Sequence, residues 1–214
     1  MTALDGRGDS VRHAHLPTEN GAEQIMGMPA VALRRWSADD VRALPDDPRN
    51  RYETVDGVLL VSPSPARVHQ YFQTELLFHL SLYLRSQHVA VVVGAPSDVE
   101  LDPFTLMQPD VYSMPLIDGR RPLESDPDVP ILLAVEILSP STARHDRLIK
   151  RPRLQRAAIE CWLVDLDARL VERWTPDAER PEILIERLTW MPPGATQPFE
   201  LALQPLFADV LGSP

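Results

Sequence analysis

Between Pro130 and Pro140 lies the most apolar run of the chain, Ile131-Leu-Leu-Ala-Val-Glu-Ile-Leu138, broken by a single polar side chain, Glu136. Eight residues between two prolines are too few for an ordinary helix, and a nearly continuous aliphatic run suits a strand covered on both faces. The run is therefore expected to be the central strand of a sheet. Period-two alternation then puts Glu136 on one face with Leu132, Ala134 and Leu138, away from bulk water. A carboxylate in that place costs several kcal/mol unless a positive charge or a bound proton compensates it. Two readings remain open: a salt-bridged or protonated core glutamate, and an acid placed for chemistry near the strand's carboxyl end, where open α/β sheets hold their ligands. The second is favoured.

The remaining sequence bounds the architecture. A chain of 214 residues allows one domain, or one domain with a tail. Its 22 prolines, about double ordinary usage, fall between apolar runs and favour short strands and turns over a helical bundle. Residues 1–30 show no apolar period and read as a disordered leader, with Met26 and Met28 as alternative translation starts; the domain is expected over 31–212. The net charge of -10 excludes a generally basic nucleic-acid-coating protein. One cysteine, Cys161, excludes a disulfide framework and a cysteine-rich zinc site, and suits a reducing cytoplasm. No apolar run approaches the ~18 residues of a membrane span, and the N-terminus has no signal-peptide pattern, so a cytoplasmic protein without membrane association is expected.

Along the chain, Ser37 before Ala38-Asp-Asp40 caps a short helix that should end near Pro45. Arg51 to Val55 and Val58 to Ser62 flank Asp56-Gly57, a strong signal for a two-residue hairpin turn. Val68, Phe72, Leu76, Leu80 and Leu84 recur at helical spacing and predict one long helix over 66–86. His88 to Val93, Asp98 to Leu101 and Val111 to Ser113 read as strands of one sheet. A helix is expected over 147–158, kinked or restarted at Pro152. Cys161 to Asp165 and Leu170 to Thr175 form strands joined by a turn around Asp167, Ile183 to Trp190 is a further strand, and Leu206 to Leu211 a terminal helical turn. The fold class is α/β: a mixed sheet with a long helix before its middle strands and a shorter one after them.

Three more acids could join Glu136. Asp110 follows Pro109 at the start of a strand and, read alone, is a turn residue; Glu53 lies in the first hairpin strand, and Asp98 opens another. A cation is offered by Asp146-Arg-Leu-Ile-Lys150, because a strand-to-helix connection returns this segment over the carboxyl end of the Glu136 strand. By spacing alone Lys150 is an ordinary solvated helix lysine. Were carboxylates and lysine to converge, they would suit metal-assisted phosphodiester hydrolysis: the acids bind a hard divalent ion, and the ammonium orients water or stabilises developing charge.

Tyr52-Glu53, Asp56-Gly57, Ser62-Pro-Ser-Pro65 followed by His69, Gln108-Pro-Asp110, Val135-Glu-Ile-Leu-Ser-Pro-Ser-Thr142, Asp146 with Lys150, and Cys161-Trp-Leu-Val-Asp165 occur in the order found in the Uma-type restriction endonuclease family of bacteria. The sequence resembles that family, part of the PD-(D/E)XK nuclease superfamily, over about residues 35–211. The resemblance implies a restriction-endonuclease-like core, Asp110 and Glu136 as ligands of Mg2+ or Mn2+, Glu53 as an added acid, and Lys150 as the catalytic lysine. The usual superfamily lysine lies two residues beyond the acid, where this chain has Leu138, so the lysine has migrated to the following helix. After Lys150 the chain departs from the family: Leu154 and Cys161 replace tyrosines, and Ala158 replaces a helix-ending glycine.

His69 reads alone as a helix-start residue, and through the resemblance as a support for the site or a phosphate contact; Arg147 and Arg151 are further candidates for that role. Asp146 reads as a cap or a partner within its own segment, Asp165 as a strand-end turn residue and Cys161 as core packing. Residues 144–156 hold six Lys or Arg against one acid, a local +5, which leaves -15 on the rest of the chain. DNA binding is therefore expected at this segment, weak without sequence preference, and dependent on metal, a partner or a homodimer. The leading expectation is a metal-dependent endonuclease. Its rivals are an inactive nuclease-fold module and a carboxylate-pair glycosidase, the last of which gives Lys150 no role.

Overall fold

The structure, a computed structural model, describes residues 34–126 and 129–213. The leader expected over 1–30 and the alternative starts at Met26 and Met28 lie outside the described residues. The first helix, α1 (Ala38–Arg42), begins at a capping box in which Ser37 and Asp40 satisfy each other's backbone N–H groups. Strands β1 (Asn50–Val55) and β2 (Val58–Pro63) form the expected hairpin. Asp56 and Gly57 both take positive φ, 52° and 86°, as a two-residue turn of this hand requires. Helix α2 (Arg67–Gln87) buries Phe72, Leu76, Leu80 and Leu84, and ends at His88 in the left-handed conformation.

Short strands follow: β3 (Ala90–Gly94), β4 (Val99–Asp102), β5 (Thr105–Met107), β6 (Val111–Pro115) and β7 (Leu133–Ile137). A helical segment then runs from α3 (Ala143–His145) through a π turn (Asp146–Lys150) into α4 (Arg151–Arg156). The chain closes with β8 (Glu160–Asp165), β9 (Leu170–Trp174), β10 (Glu182–Leu184), β11 (Arg187–Trp190), β12 (Phe199–Ala202) and α5 (Leu203–Leu211).

The strands form two main sheets rather than the one expected. A six-stranded sheet has the order β10-β9-β8-β7-β6-β3, with β7 and β8 parallel and its other pairs antiparallel. A four-stranded antiparallel sheet has the order β2-β1-β5-β4, so β4 and β5 pair with each other and leave the large sheet that holds β3 and β6. The single strand expected over Ile183 to Trp190 is two: β10 extends the large sheet, while β11 pairs with β12, a strand not anticipated.

Strand β7 explains how the layers meet. Leu133, Val135 and Ile137 join Phe72, Leu76 and Leu80 of α2, Trp162 of β8 and Phe207 of α5 in one core. On the opposite face, Ala134 and Leu138 join Val55, Leu60 and Met107 of the small sheet and Leu154 of α4. Each fully buried Leu or Phe contributes about 1.5–3 kcal/mol, so the large sheet is held from both faces. Leu132, expected beside Glu136, packs instead with the α2-side core, because the regular strand begins one residue later. Glu136 lies on the face towards the small sheet, as alternation requires.

The segment after β7 departs from a plain helix. Arg151 N–H donates to Asp146 O, five residues back, so one residue is accommodated in a widened turn. Pro152, which lacks an N–H and would crowd the carbonyl four residues earlier, stands just beyond that turn, in the first turn of α4. At the far end Ile159 N–H donates to Leu154 O and Ala158 N–H to Gln155 O, a paired closure that places Ala158 at φ 58°. This is the position where the resemblance implies a glycine, and the methyl group opposes that conformation. Ala158→Gly is expected to stabilise the protein by about 1 kcal/mol, read as a higher urea midpoint at unchanged slope; an unchanged or lower midpoint contradicts the strain assigned to this residue.

Candidate active site

Glu53 and Glu136 reach the same cation from different sheets. Lys150 Nζ lies 2.7 Å from Glu136 Oε1 and 2.9 Å from Glu53 Oε1, and Asp146 Oδ1 stands 3.7 Å away. All four are nearly inaccessible: Glu53, Glu136 and Lys150 are 2% exposed and Asp146 4%. The compensation that a buried Glu136 demands is therefore the lysine of the following helical segment. In the π turn Asp146 and Lys150 fall on one side, and β1 brings Glu53 up from the small sheet.

Asp110, which precedes β6, faces the same cavity. Its Oδ2 accepts from Ile137 N–H at 2.8 Å and meets His69 Nε2 at 3.0 Å, while its Oδ1 meets Arg51 Nη1 at 3.2 Å. Gln73 Nε2 donates to its backbone carbonyl at 2.7 Å. Arg51, Glu53, His69, Asp110, Glu136, Asp146 and Lys150 all line one cavity of about 370 Å³, rimmed by hydroxyls of Ser62, Ser64, Ser139 and Ser141. The four expected residues Glu53, Asp110, Glu136 and Lys150 thus meet, and His69 touches the site through Asp110.

The electrostatics divide the acids. Burial is the largest influence on Asp110 and alone would raise it. The His69 hydrogen bond and charge, the Arg51 charge and the Ile137 N–H outweigh burial and hold it below the ordinary carboxylate value. Glu136 is pushed well above that value by burial and by the charges of Asp146, Asp110 and Glu53, against the pull of Lys150. Asp146 is raised by burial in the same way. Burial opposes the Lys150 ammonium, but Glu136, Glu53 and Asp146 raise it well above an ordinary lysine, so it remains charged.

Four buried carboxylates face two permanent cations, Lys150 and Arg51. When all four ionise, the excess over these two cations is two negative charges, carried by side chains nearly inaccessible to water. Glu136 Oε1 meets Lys150 as an ion pair without hydrogen-bond alignment, and no other donor among the described residues reaches it. Among the described residues no three His, Cys, Asp or Glu side chains are already drawn together around an ion's position; Lys150 and Arg51 stand between them. Hard oxygen donors in excess of fixed cations nevertheless suit a hard divalent ion.

Other expected residues lie elsewhere. Arg147 binds Glu172 at 2.7 Å and Asp165 at 3.0 Å, and Arg151 stacks 4.0 Å over the Trp174 ring and donates to Gln155; neither lines the cavity. Arg153 pairs with Asp56 and Asp102, and Arg156 with Asp56, so three of the five arginines of the +5 segment, Arg147 included, are paired with distant acids, while Arg144 is exposed. Asp98 accepts from Gln108 and stays outside the site. Asp165 caps its turn through Ala168 N–H, and Cys161 is buried packing, its thiol pushed up by burial. One contributor escaped the sequence reading: Arg51 looks like any arginine of a half-exposed strand, and the sole available signal was its spacing, two residues before Glu53. Asp146 pairs within its own segment, with Lys150, as expected, and that pairing brings it to the site.

A family model described as Uma2, putative restriction endonuclease, matches residues 38–204. A crystal structure of a putative nuclease of the DUF820 group from Anabaena variabilis is 21% identical, covers 82% of this chain and 99% of its own, and superposes with a TM-score of 0.64. It shares the fold. No curated protein matches the sequence.

A carboxyl group with a raised folded value contributes stability that is complete below its unfolded value and is lost as pH rises through the folded one; a lowered group such as Asp110 acts in the opposite sense, losing its contribution as pH falls. In ion-free protein the melting temperature of Glu136→Gln relative to wild type is therefore expected to improve steadily between about pH 5 and pH 8. A difference that stays flat or reverses over that range would show that Glu136 is not held above its ordinary value.

Proposed function

Because the chain belongs to the Uma2 family of putative restriction endonucleases, we propose that it hydrolyses DNA phosphodiester bonds with Mg2+ or Mn2+ held by Asp110, Glu136 and Glu53. The observation that carries the reading is the convergence on Lys150: two glutamates from separate sheets, at 2.7 Å and 2.9 Å, in one cavity with Asp110. When bound, the ion would polarise a phosphoryl oxygen and acidify a water.

The protein's own groups would divide the remaining work. Ile137 N–H, His69 and Arg51 fix the Asp110 carboxylate in an ionised state, ready to ligate. Lys150 stays an ammonium, so it does not abstract a proton; it donates hydrogen bonds that orient the attacking water or offset charge building on the phosphate. Glu136, raised by its surroundings, is the carboxylate best able to hold a proton and give it up as positive charge arrives. The small sheet and the π turn close the back of the cavity, which strengthens each of these interactions.

The departures after Lys150 leave this machinery in place. Leu154 is fully buried in the core, and Ala158 still closes the helix end despite its strain. The lysine segment is therefore held by packing of Leu154 and by the closure at Ala158.

Two linked outcomes are expected. Mg2+ or Mn2+ at about a hundred times its Kd raises the stability of the wild type by about 2.7 kcal/mol, and Asp110→Asn and Glu136→Gln abolish the gain. Plasmid nicking requires the ion, ceases with EDTA, and falls at least about a hundredfold in Lys150→Met while the ion-dependent gain in melting temperature remains. Nicking in EDTA, or undiminished nicking by Asp110→Asn, would refute the metal-dependent reading. Neither nicking nor any ion response would leave the fold as an interaction module.

A further inference from the structure

Arg51 is the one charged side chain shared by the acidic cavity and a neighbouring cavity of about 460 Å³, which is lined by Asn50, Tyr52, Gln70 and Gln108 among others. Only one of its nitrogens is engaged. Nη1 reaches Gln108 O and Asp110 Oδ1, each at 3.2 Å, while Nε and Nη2 have no hydrogen-bond partner among the described residues. The side chain is nonetheless only 18% exposed. Neither nitrogen is sealed from solvent, so water can serve both until an oxyanion such as a phosphate offers the fork two acceptors at once. Here one arm and the Nε edge remain unspent, on a side chain that borders both cavities.

Asp110 shows where the change of partner can occur. Its Oδ2 is occupied by His69 and Ile137 N–H, whereas Oδ1 is held by Arg51 alone. An ion that ligates Asp110 through Oδ1 competes with Arg51 Nη1 for that oxygen, because two positive charges on one carboxylate oxygen repel each other. The displaced guanidinium then lies beside the ion with three or more free donors, in a cavity whose other cation is enclosed by three acids.

We propose that Arg51 is a substrate-binding residue: it rests on Asp110 Oδ1 while the site is free of ion, and turns to clasp a phosphate of the DNA once an ion takes that oxygen. The inference rests on the nuclease reading and gives the site an anion receptor that the basic segment of 144–156 does not supply. It separates this role from a structural one by sign. A purely structural Arg51 would, when removed, weaken ion and DNA binding together or leave both alone, whereas a displaced competitor strengthens the first and weakens the second.

The test uses the full chain, calorimetric titration with Mn2+, and binding of a short DNA duplex in Ca2+ over a range of salt concentrations. Arg51→Gln is expected to bind Mn2+ roughly tenfold more tightly and the duplex at least roughly tenfold more weakly, with a salt slope shallower by about one. Arg51→Lys keeps the charge but lacks the fork, so its duplex affinity falls severalfold; it carries the test should Arg51→Gln fail to fold. Unchanged or weaker Mn2+ binding in Arg51→Gln, or wild-type duplex binding in either variant, overturns the inference while leaving the nuclease reading intact. A wild type that takes up no Mn2+ overturns both.

Discussion

The ammonium of Lys150, sealed among Glu53, Glu136 and Asp146, is the interaction on which the remaining architecture depends. Neither an acid nor a base survives such burial alone, and the desolvation of an ion pair commonly offsets most of its attraction. The cluster is therefore a poor source of stability and a specific statement about position. It ties β1 of the small sheet, β7 of the large sheet and the π turn to one point. It also leaves the cavity acid-rich, since the two permanent cations do not balance four carboxylates.

Topology accounts for that meeting. The parallel pair β7 and β8 requires a crossover, and the crossover carries α3, the π turn and α4 back over the face of β7 that bears Glu136. The widened turn at 146–150 sets Asp146 and Lys150 inward together, and Leu154, one turn further on, anchors the segment in the core between the sheets. On the other side of the cavity, Asp110 is locked by the strand that carries Glu136, because Ile137 N–H donates to it directly. The same β7 backbone thus orients two of the acids, one through its side chain and one through a hydrogen bond.

Much of this was legible from the sequence. A glutamate alone in an aliphatic run announces a buried charge in search of a partner, and Asp56-Gly57 and the long period of α2 fixed their elements without help from tertiary contacts. The identity of the partner was less visible, because Lys150 by itself looks solvated; the resemblance supplied what spacing could not. Arg51 was missed because its meaning lies in Asp110, 59 positions away. The division into two sheets was hidden because a strand's pattern reports which face is apolar and says nothing about its neighbours. The local excess of charge in the basic segment is partly neutralised: Arg147, Arg153 and Arg156 answer acids far along the chain, which composition along the segment does not reveal.

The central claim is that burial, together with the acids around it, holds Glu136 well above the ordinary carboxylate value, so that a divalent cation binding there displaces a proton. Calorimetric titration of Mg2+ at about pH 6, repeated in buffers of different ionisation enthalpy, measures the protons released per ion bound. The account predicts a clear fractional release that vanishes in a Glu136→Gln protein. Binding with no proton release in the wild type, or release unaltered by that substitution, would contradict it.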